Sequence, residues 1–155
     1  MEVEEFSLDW KMVRTGSADL VLRFPQETIE VHTTYVGDGL GSVVQAAIDL
    51  QLGSSSAIAF LPAEPAGTFL FFSGADEGVV YLQVVQFADM ESESRRWSGG
   101  SLRWRGLVDV RVFIRSVVVM ADAVLAKCGG SEAYSKAWSG IPFPCDELEA
   151  LRLES

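Results

Sequence analysis

The sequence is short of the residues that most often carry chemistry. It holds one histidine, His32, and two cysteines, Cys128 and Cys145, with no CxxC pair. A zinc centre built from His and Cys needs several such ligands at fixed spacing, so this class is excluded, and no metal or other cofactor is expected. A Ser-His-acid or Cys-His nucleophile would have to use His32, and the sequence names no partner for it. Flanked by Val31 and Thr33, His32 reads as a strand residue that faces solvent or is held by a hydrogen bond. No catalytic residue is expected. The two scattered cysteines read as free thiols in a reducing cytoplasm rather than as a disulfide.

Positive charge is scarce too. Lys and Arg number 12 against 22 Asp and Glu, a net charge of −10. Phosphate attraction supplies most nucleic-acid affinity, so binding driven by overall charge is disfavoured. An acidic surface instead steers a basic protein toward it. Long apolar runs are missing: within the most hydrophobic stretch the longest unbroken run is Val117–Ala121, far short of a membrane span, and no membrane partner is expected. The first ten residues, MEVEEFSLDW, are acidic and alternating, unlike a signal peptide.

What is present is ordinary globular composition, 48% hydrophobic and 22% charged over 155 residues, which suits one domain spanning 1–155. The dominant pattern lies at Gly106–Gly130. Leu107, Val110, Phe113, Ile114, Val117, Met120, Ala121, Val124, Leu125 and Cys128 fall on one arc of a helix, with Asp109, Arg111, Arg115, Ser116, Asp122 and Lys127 outside it. Lys127 and then Gly129-Gly130 form its stop. Val108, Val110, Val112 and Ile114 also alternate with Asp109 and Arg111, so residues 107–114 can be read as strand; the arc and the glycine stop favour a helix over 106–128.

Earlier in the chain, alternation marks strands at Phe6–Met12, Leu20–Phe24 and Ile29–Tyr35, joined by turn residues at Thr15-Gly16-Ser17 and Pro25-Gln26, an antiparallel meander. A helix over 39–52 follows, capped by Asp38, with Leu40, Val43, Val44, Ala47 and Ile48 at helical spacing and Gly53 past its end. Ala57–Leu61, Thr68–Phe72 and Val79–Phe87 are apolar strands, and TFLFF, apolar on both faces, is placed at the sheet centre. Ser101–Arg105 adds a short strand. Asp89–Gly100 is one long polar loop, expected to be the most mobile region. In the tail, Ser131–Trp138 is a short helix, Pro142 and Pro144 force an extended link, and Cys145–Leu153 turns Leu148 and Leu151 inward. The fold expected is an α+β two-layer sandwich: a mainly antiparallel sheet of about six strands, with two main helices on one face and a short helical C-terminal tail. The link through the first helix allows one parallel strand pair.

Two stretches are candidate sites. Gly37-Asp38-Gly39-Leu40-Gly41 opens a helix where phosphate loops occur, but it has neither the GxGxxG spacing nor a following GK[ST]. It reads as a tight turn with a capping Asp, and Asp38 and Gly39 are the place a small ligand would bind if one does. Asp89, Glu91 and Glu93 alternate, so an extended chain would put three carboxylates on one side; alone they read as solvated. Beside them stand Arg95, Arg96 and Trp97, an aromatic next to arginine as at interface hot spots. Asp89, Glu91, Glu93, Arg95, Arg96 and Trp97 are therefore the candidate partner-binding surface. Six of the twelve bases lie between Arg95 and Arg115, a patch expected to be neutralised within the protein. Trp138 and Tyr134, four apart, suggest a satellite core beneath the tail.

The tail pattern Gly129-Gly130, Tyr134, Trp138, Pro142-Phe143-Pro144, Leu148 and Leu151, with the helix start at Gly37–Gly41, resembles small bacterial α+β proteins. Some acidic proteins of this size are immunity proteins that neutralise a toxin domain. The resemblance carries no catalytic motif and implies a class of role: a non-catalytic cytoplasmic protein that covers a basic toxin or other basic protein partner. A small-ligand sensor or enzyme with a pocket between helix and sheet, with Asp38 or His32 at its rim, and a structural homodimer are the alternatives.

Overall fold

A computed structural model describes residues 3–90 and 99–154. Eight strands and four helices are found among them: β1 (Val3–Glu4), β2 (Ser7–Arg14), β3 (Ser17–Arg23), β4 (Thr28–Thr34), α1 (Gly39–Gln51), β5 (Ala57–Ala63), β6 (Ala66–Asp76), β7 (Val79–Phe87), β8 (Ser101–Asp109), α2 (Val110–Cys128), α3 (Ser131–Ala137) and α4 (Cys145–Glu154). The α+β class holds. The single sheet of about six strands does not: the strands form one five-stranded sheet, β1-β8-β7-β6-β5, and one three-stranded sheet, β2-β3-β4. Alternation reports only that a strand has one buried face, and that face is equally well buried in either sheet. The chain crosses between the sheets twice, after β1 and through α1.

Both sheets turn their apolar faces to a shared core. Leu8 and Trp10, Leu20 and Leu22, and Ile29 and Val31 come from the small sheet; Ala59 and Leu61, Leu70 and Phe72, Leu82 and Val84 come from the large one. α1 packs on β5 and α2, and α2 packs on β2 and β8 as well. A chain of aromatic rings ties the layers together. Trp104 stacks on Phe24 at 3.7 Å, Phe24 meets Phe6 at 5.4 Å, Phe6 meets Phe113 at 5.9 Å, and Phe113 meets Phe72 at 4.7 Å. Gly106 makes room for this, since a Cβ there would sit 2.6 Å from the Trp104 indole.

The long amphipathic segment starts as a strand. β8 runs to Asp109 and pairs Gly106 with Leu82, Leu107 with Tyr81 and Val108 with Val80, so α2 spans 110–128 rather than 106–128. Asp109 decides the boundary. It is extended (φ −74°, ψ 128°) and its carboxylate accepts the Val112 N–H at 2.9 Å, an N-cap. The C-terminal stop is as expected: Gly129 is left-handed at φ 87°. α1 begins at Gly39 as expected, under the Asp38 cap.

Three further expectations change. β4 and β5, either side of α1, lie in different sheets; the parallel pair among the described strands is β1 with β8, Val3 opposite Leu107 and Glu4 opposite Val108. TFLFF lies in β6, an interior strand one place from the middle of its sheet. It is apolar on both sides because Leu70 and Phe72 face the core, while Phe69 stacks with Phe60 at 4.5 Å and with Phe71 at 5.2 Å on the other face. Trp138 and Tyr134 are no satellite. Both are fully buried in the main core, where Trp138 meets Trp10 at 5.7 Å and Tyr134 meets Phe143 edge-on at 5.4 Å. The tail's last helix buries Leu148 and Leu151, and Arg152 pairs with Asp122 of α2.

Phe113 has no solvent exposure and joins the ring of Phe6, just before β2, to Phe72 of the large sheet. Phe113→Ala should cost about 3–5 kcal/mol of unfolding free energy in urea, and Val117→Asp should leave no cooperative transition. A Phe113→Ala midpoint within experimental error of wild type would contradict this core.

Candidate functional site

Gly37-Asp38-Gly39-Leu40-Gly41 is a tight connection between β4 and α1, and crowding accounts for each glycine. A Cβ at Gly37 would press on Pro62 at 2.7 Å, one at Gly39 on Leu61 and Thr33 at 3.1 Å, and one at Gly41 on the Asp38 carboxylate. Asp38 Oδ1 accepts the Gly41 N–H at 2.8 Å. From below, Trp138 Nε1 donates to the Gly37 carbonyl at 3.2 Å, and Thr33 Oγ1 donates to the Pro62 carbonyl at 2.8 Å. The backbone here is fixed on two sides.

In front of this connection lies a cleft of about 380 Å³. Val36, Phe60, Pro62, Pro65, Ala66 and Met90 supply apolar walls, and Asp38, Glu64 and Ser42 the polar positions. The Ser42 hydroxyl accepts the Phe60 N–H at 2.7 Å and so holds α1 against β5. Glu64 projects from the two-residue turn between β5 and β6, whose Glu64-Pro65 bond is cis. Of the two expected ligand positions, Asp38 lines the cleft, while Gly39 is buried behind it and Gly37 takes its place on the wall.

The two candidate stretches meet here. Met90 lines the cleft, and its N–H donates to the Pro65 carbonyl at 2.6 Å, so the chain leaving β7 at Asp89-Met90 passes the cleft mouth. Glu91, Glu93, Arg95, Arg96 and Trp97, with most of the polar loop, lie outside the described residues. No spacing rule could have joined Asp38 to Met90; the link is the β5–β6 turn, which carries Glu64 and Pro65 between them.

Desolvation raises the Asp38 carboxyl above the ordinary aspartate value, and Glu147 on α4 raises it further, against the lowering by the Gly41 N–H. Tyr134 is also raised, first by burial and then by Asp38 and Cys128. Its hydroxyl is buried without a hydrogen-bond partner among the described residues. Apolar walls beneath Asp38 and Glu64 suit a cation with a hydrocarbon stem, which can lay the stem on the walls and bring its charge to the carboxylates.

No protein-family model matches this sequence, and no curated protein or solved structure matches it.

The structure supplies the partners that the sequence could not name for His32. Its Nδ1 lies 2.9 Å from Asp19 Oδ1 and its Nε2 lies 3.3 Å from Ser17 Oγ, a Ser-His-Asp chain across β3 and β4. Ser17 is only 4% exposed, and the neighbouring Gly16 N–H donates to the Ala137 carbonyl at 2.7 Å. A nucleophile needs an open face and free donors for an oxyanion; this chain of bonds joins two strands. Of the basic patch, Arg95 and Arg96 lie outside the described residues; Arg103 donates to Gln86, and Arg103, Arg105, Arg111 and Arg115 make no ion pair among the described residues.

Two measurements check the cap. Asp38→Ala should cost about 1 kcal/mol, whereas Asp38→Asn keeps a capping oxygen and should cost less. Because folding raises the Asp38 pKa, the folded chain holds this proton more tightly than the unfolded one. Wild-type stability should therefore fall relative to Asp38→Asn as pH rises from about 4 through the folded pKa, and the gap should stay constant above it. A gap that does not change between about pH 3.5 and 7 would contradict the desolvated carboxyl.

Proposed function

We propose that this chain is a non-catalytic binding protein of the cytoplasm whose acidic cleft receives a lysine or arginine side chain of a basic protein partner. The observation that carries it is the pairing of apolar walls with carboxylates from two separate elements, Asp38 before α1 and Glu64 on the β5–β6 turn, with Glu147 on α4 near enough to raise the Asp38 carboxyl. Val36, 44% exposed, lines the cleft and gives a partner aliphatic surface to cover. The net charge of −10 steers a basic protein toward this face. An immunity-type role, in which the acidic face covers the basic surface of a toxin, fits this chemistry. Cys128 and Cys145 are both free, in keeping with a reducing compartment.

The test is association with the product of the neighbouring gene, measured by calorimetry with wild type, Glu64→Lys and Glu147→Lys. Each charge reversal should weaken binding at least tenfold, and raising the salt should weaken the wild-type complex, because the attraction is partly screened. Equal affinity of wild type and Glu64→Lys, or binding indifferent to salt, would sink the proposal. Sedimentation of the isolated chain as a tight dimer that closes over the cleft would favour the homodimer instead.

A further inference from the structure

On another part of the molecule the end of α1, the β6–β7 turn and the start of α2 enclose a cavity of about 550 Å³. Its apolar wall is Leu50, Ile114 and Val118, and its charged wall is Arg111 and Arg115. We propose that this cavity binds a small organic oxo-anion, a phosphate monoester or a carboxylate, with its head between the two guanidiniums and its body on the apolar wall.

Charge argues for this first. The chain carries 22 acids for 12 bases, so an unpaired arginine does not result from a lack of carboxylates. Yet neither Arg111 nor Arg115 has an ion-pair partner among the described residues. Both side chains are exposed, and their place on the helix is electrostatically unfavourable. They are the second and sixth residues of α2, at the end whose partial positive charge disfavours cations, and that first turn contains no acid. One helical turn apart, about 6 Å between their Cβ atoms, they also repel each other.

Of the negative groups nearby, Asp109 is engaged by the Val112 N–H, the end of α1 offers about half an elementary charge, and Asp76 and Glu77, beside Gly78 in the β6–β7 turn, form no ion pair with either arginine among the described residues. Sequences break such local rules mainly where a ligand restores the balance.

The helix amides are not the receptor. The Val110 N–H donates to the Gly78 carbonyl at 2.8 Å, and the Val112 N–H is capped. Recognition falls to the guanidiniums, whose planar forks match the two oxygens of a carboxylate or phosphate. The volume lies in the range of small-molecule sites. Ile114 is 6% exposed and Leu50 5%, so the apolar floor belongs to the core and is already in place.

The experiment titrates phenyl phosphate, benzoate and inorganic phosphate into wild type, an Arg111→Gln/Arg115→Gln double variant, Arg115→Lys and Arg105→Gln, reading calorimetry and melting temperature. Phenyl phosphate or benzoate should raise the wild-type melting temperature by about 5 °C or more at a hundredfold excess over Kd. The better of the two identifies the head group. The double variant should weaken binding at least tenfold. Arg115→Lys, which keeps the charge but removes the fork, should weaken it by less. Arg105→Gln, on the outer face of the large sheet, should leave it unchanged. No shift with any of the three anions overturns the proposal, as does an equal shift in the double variant. An equal loss in Arg105→Gln would show that bulk charge alone is responsible, and inorganic phosphate binding as tightly as phenyl phosphate would refute the role of the apolar wall.

Discussion

The contact on which the rest depends is the ring of Phe113, wedged between Phe6 on the way to the small sheet and Phe72 in the large one. Two sheets that share no hydrogen-bonded strand pair have to be joined by side chains. Here the joint is a file of aromatic rings from Trp104 to Phe72 that passes through the first turn of α2. Such contacts carry large buried areas and prefer tilted or offset geometries, so they fix orientation as well as distance. The positions of α1 and of the cleft follow from this, because α1 rests on α2 on one side and β5 on the other.

Local chemistry was legible in the sequence. Asp38, Gly53 and the repeat between them placed α1, and Lys127 with Gly129 placed the end of α2, because caps and helical spacing are decided by neighbours in the chain. Helical spacing puts the start of α2 four residues early for an equally physical reason. Leu107 falls on the helical arc by spacing, but as a strand residue it opposes Tyr81 on the outer face of the sheet, and Asp109 can only cap once the chain is extended. The split into two sheets was not legible at all. Nothing within β4 or β5 records that Thr33 of one meets Pro62 of the other through a side-chain hydrogen bond rather than as a backbone pair.

The same limit applies to the sites. Asp38 was visible as a cap, but its carboxylate acquires a setting only when Glu64, Glu147 and Met90 arrive from three distant segments. The bases between Arg95 and Arg115 were expected to be neutralised within the protein, yet alternation along β8 sends Arg103 and Arg105 to one face while α2 carries Arg111 and Arg115 to another. A patch contiguous in sequence becomes two in space.

The direct passage from β8 into α2 has a mechanical consequence. With Asp109 serving at once as the last paired residue of a strand and the cap of a helix, there is no slack between them. Sliding β8 by one two-residue repeat would drive the helix about 7 Å along its path, so the rotational phase of α2 and the register of β8 are geared together. An insertion at this junction would have to shift either the strand's pairing or the helix's phase, and the Val110 N–H bond to the Gly78 carbonyl ties the first turn of α2 to the large sheet a second time.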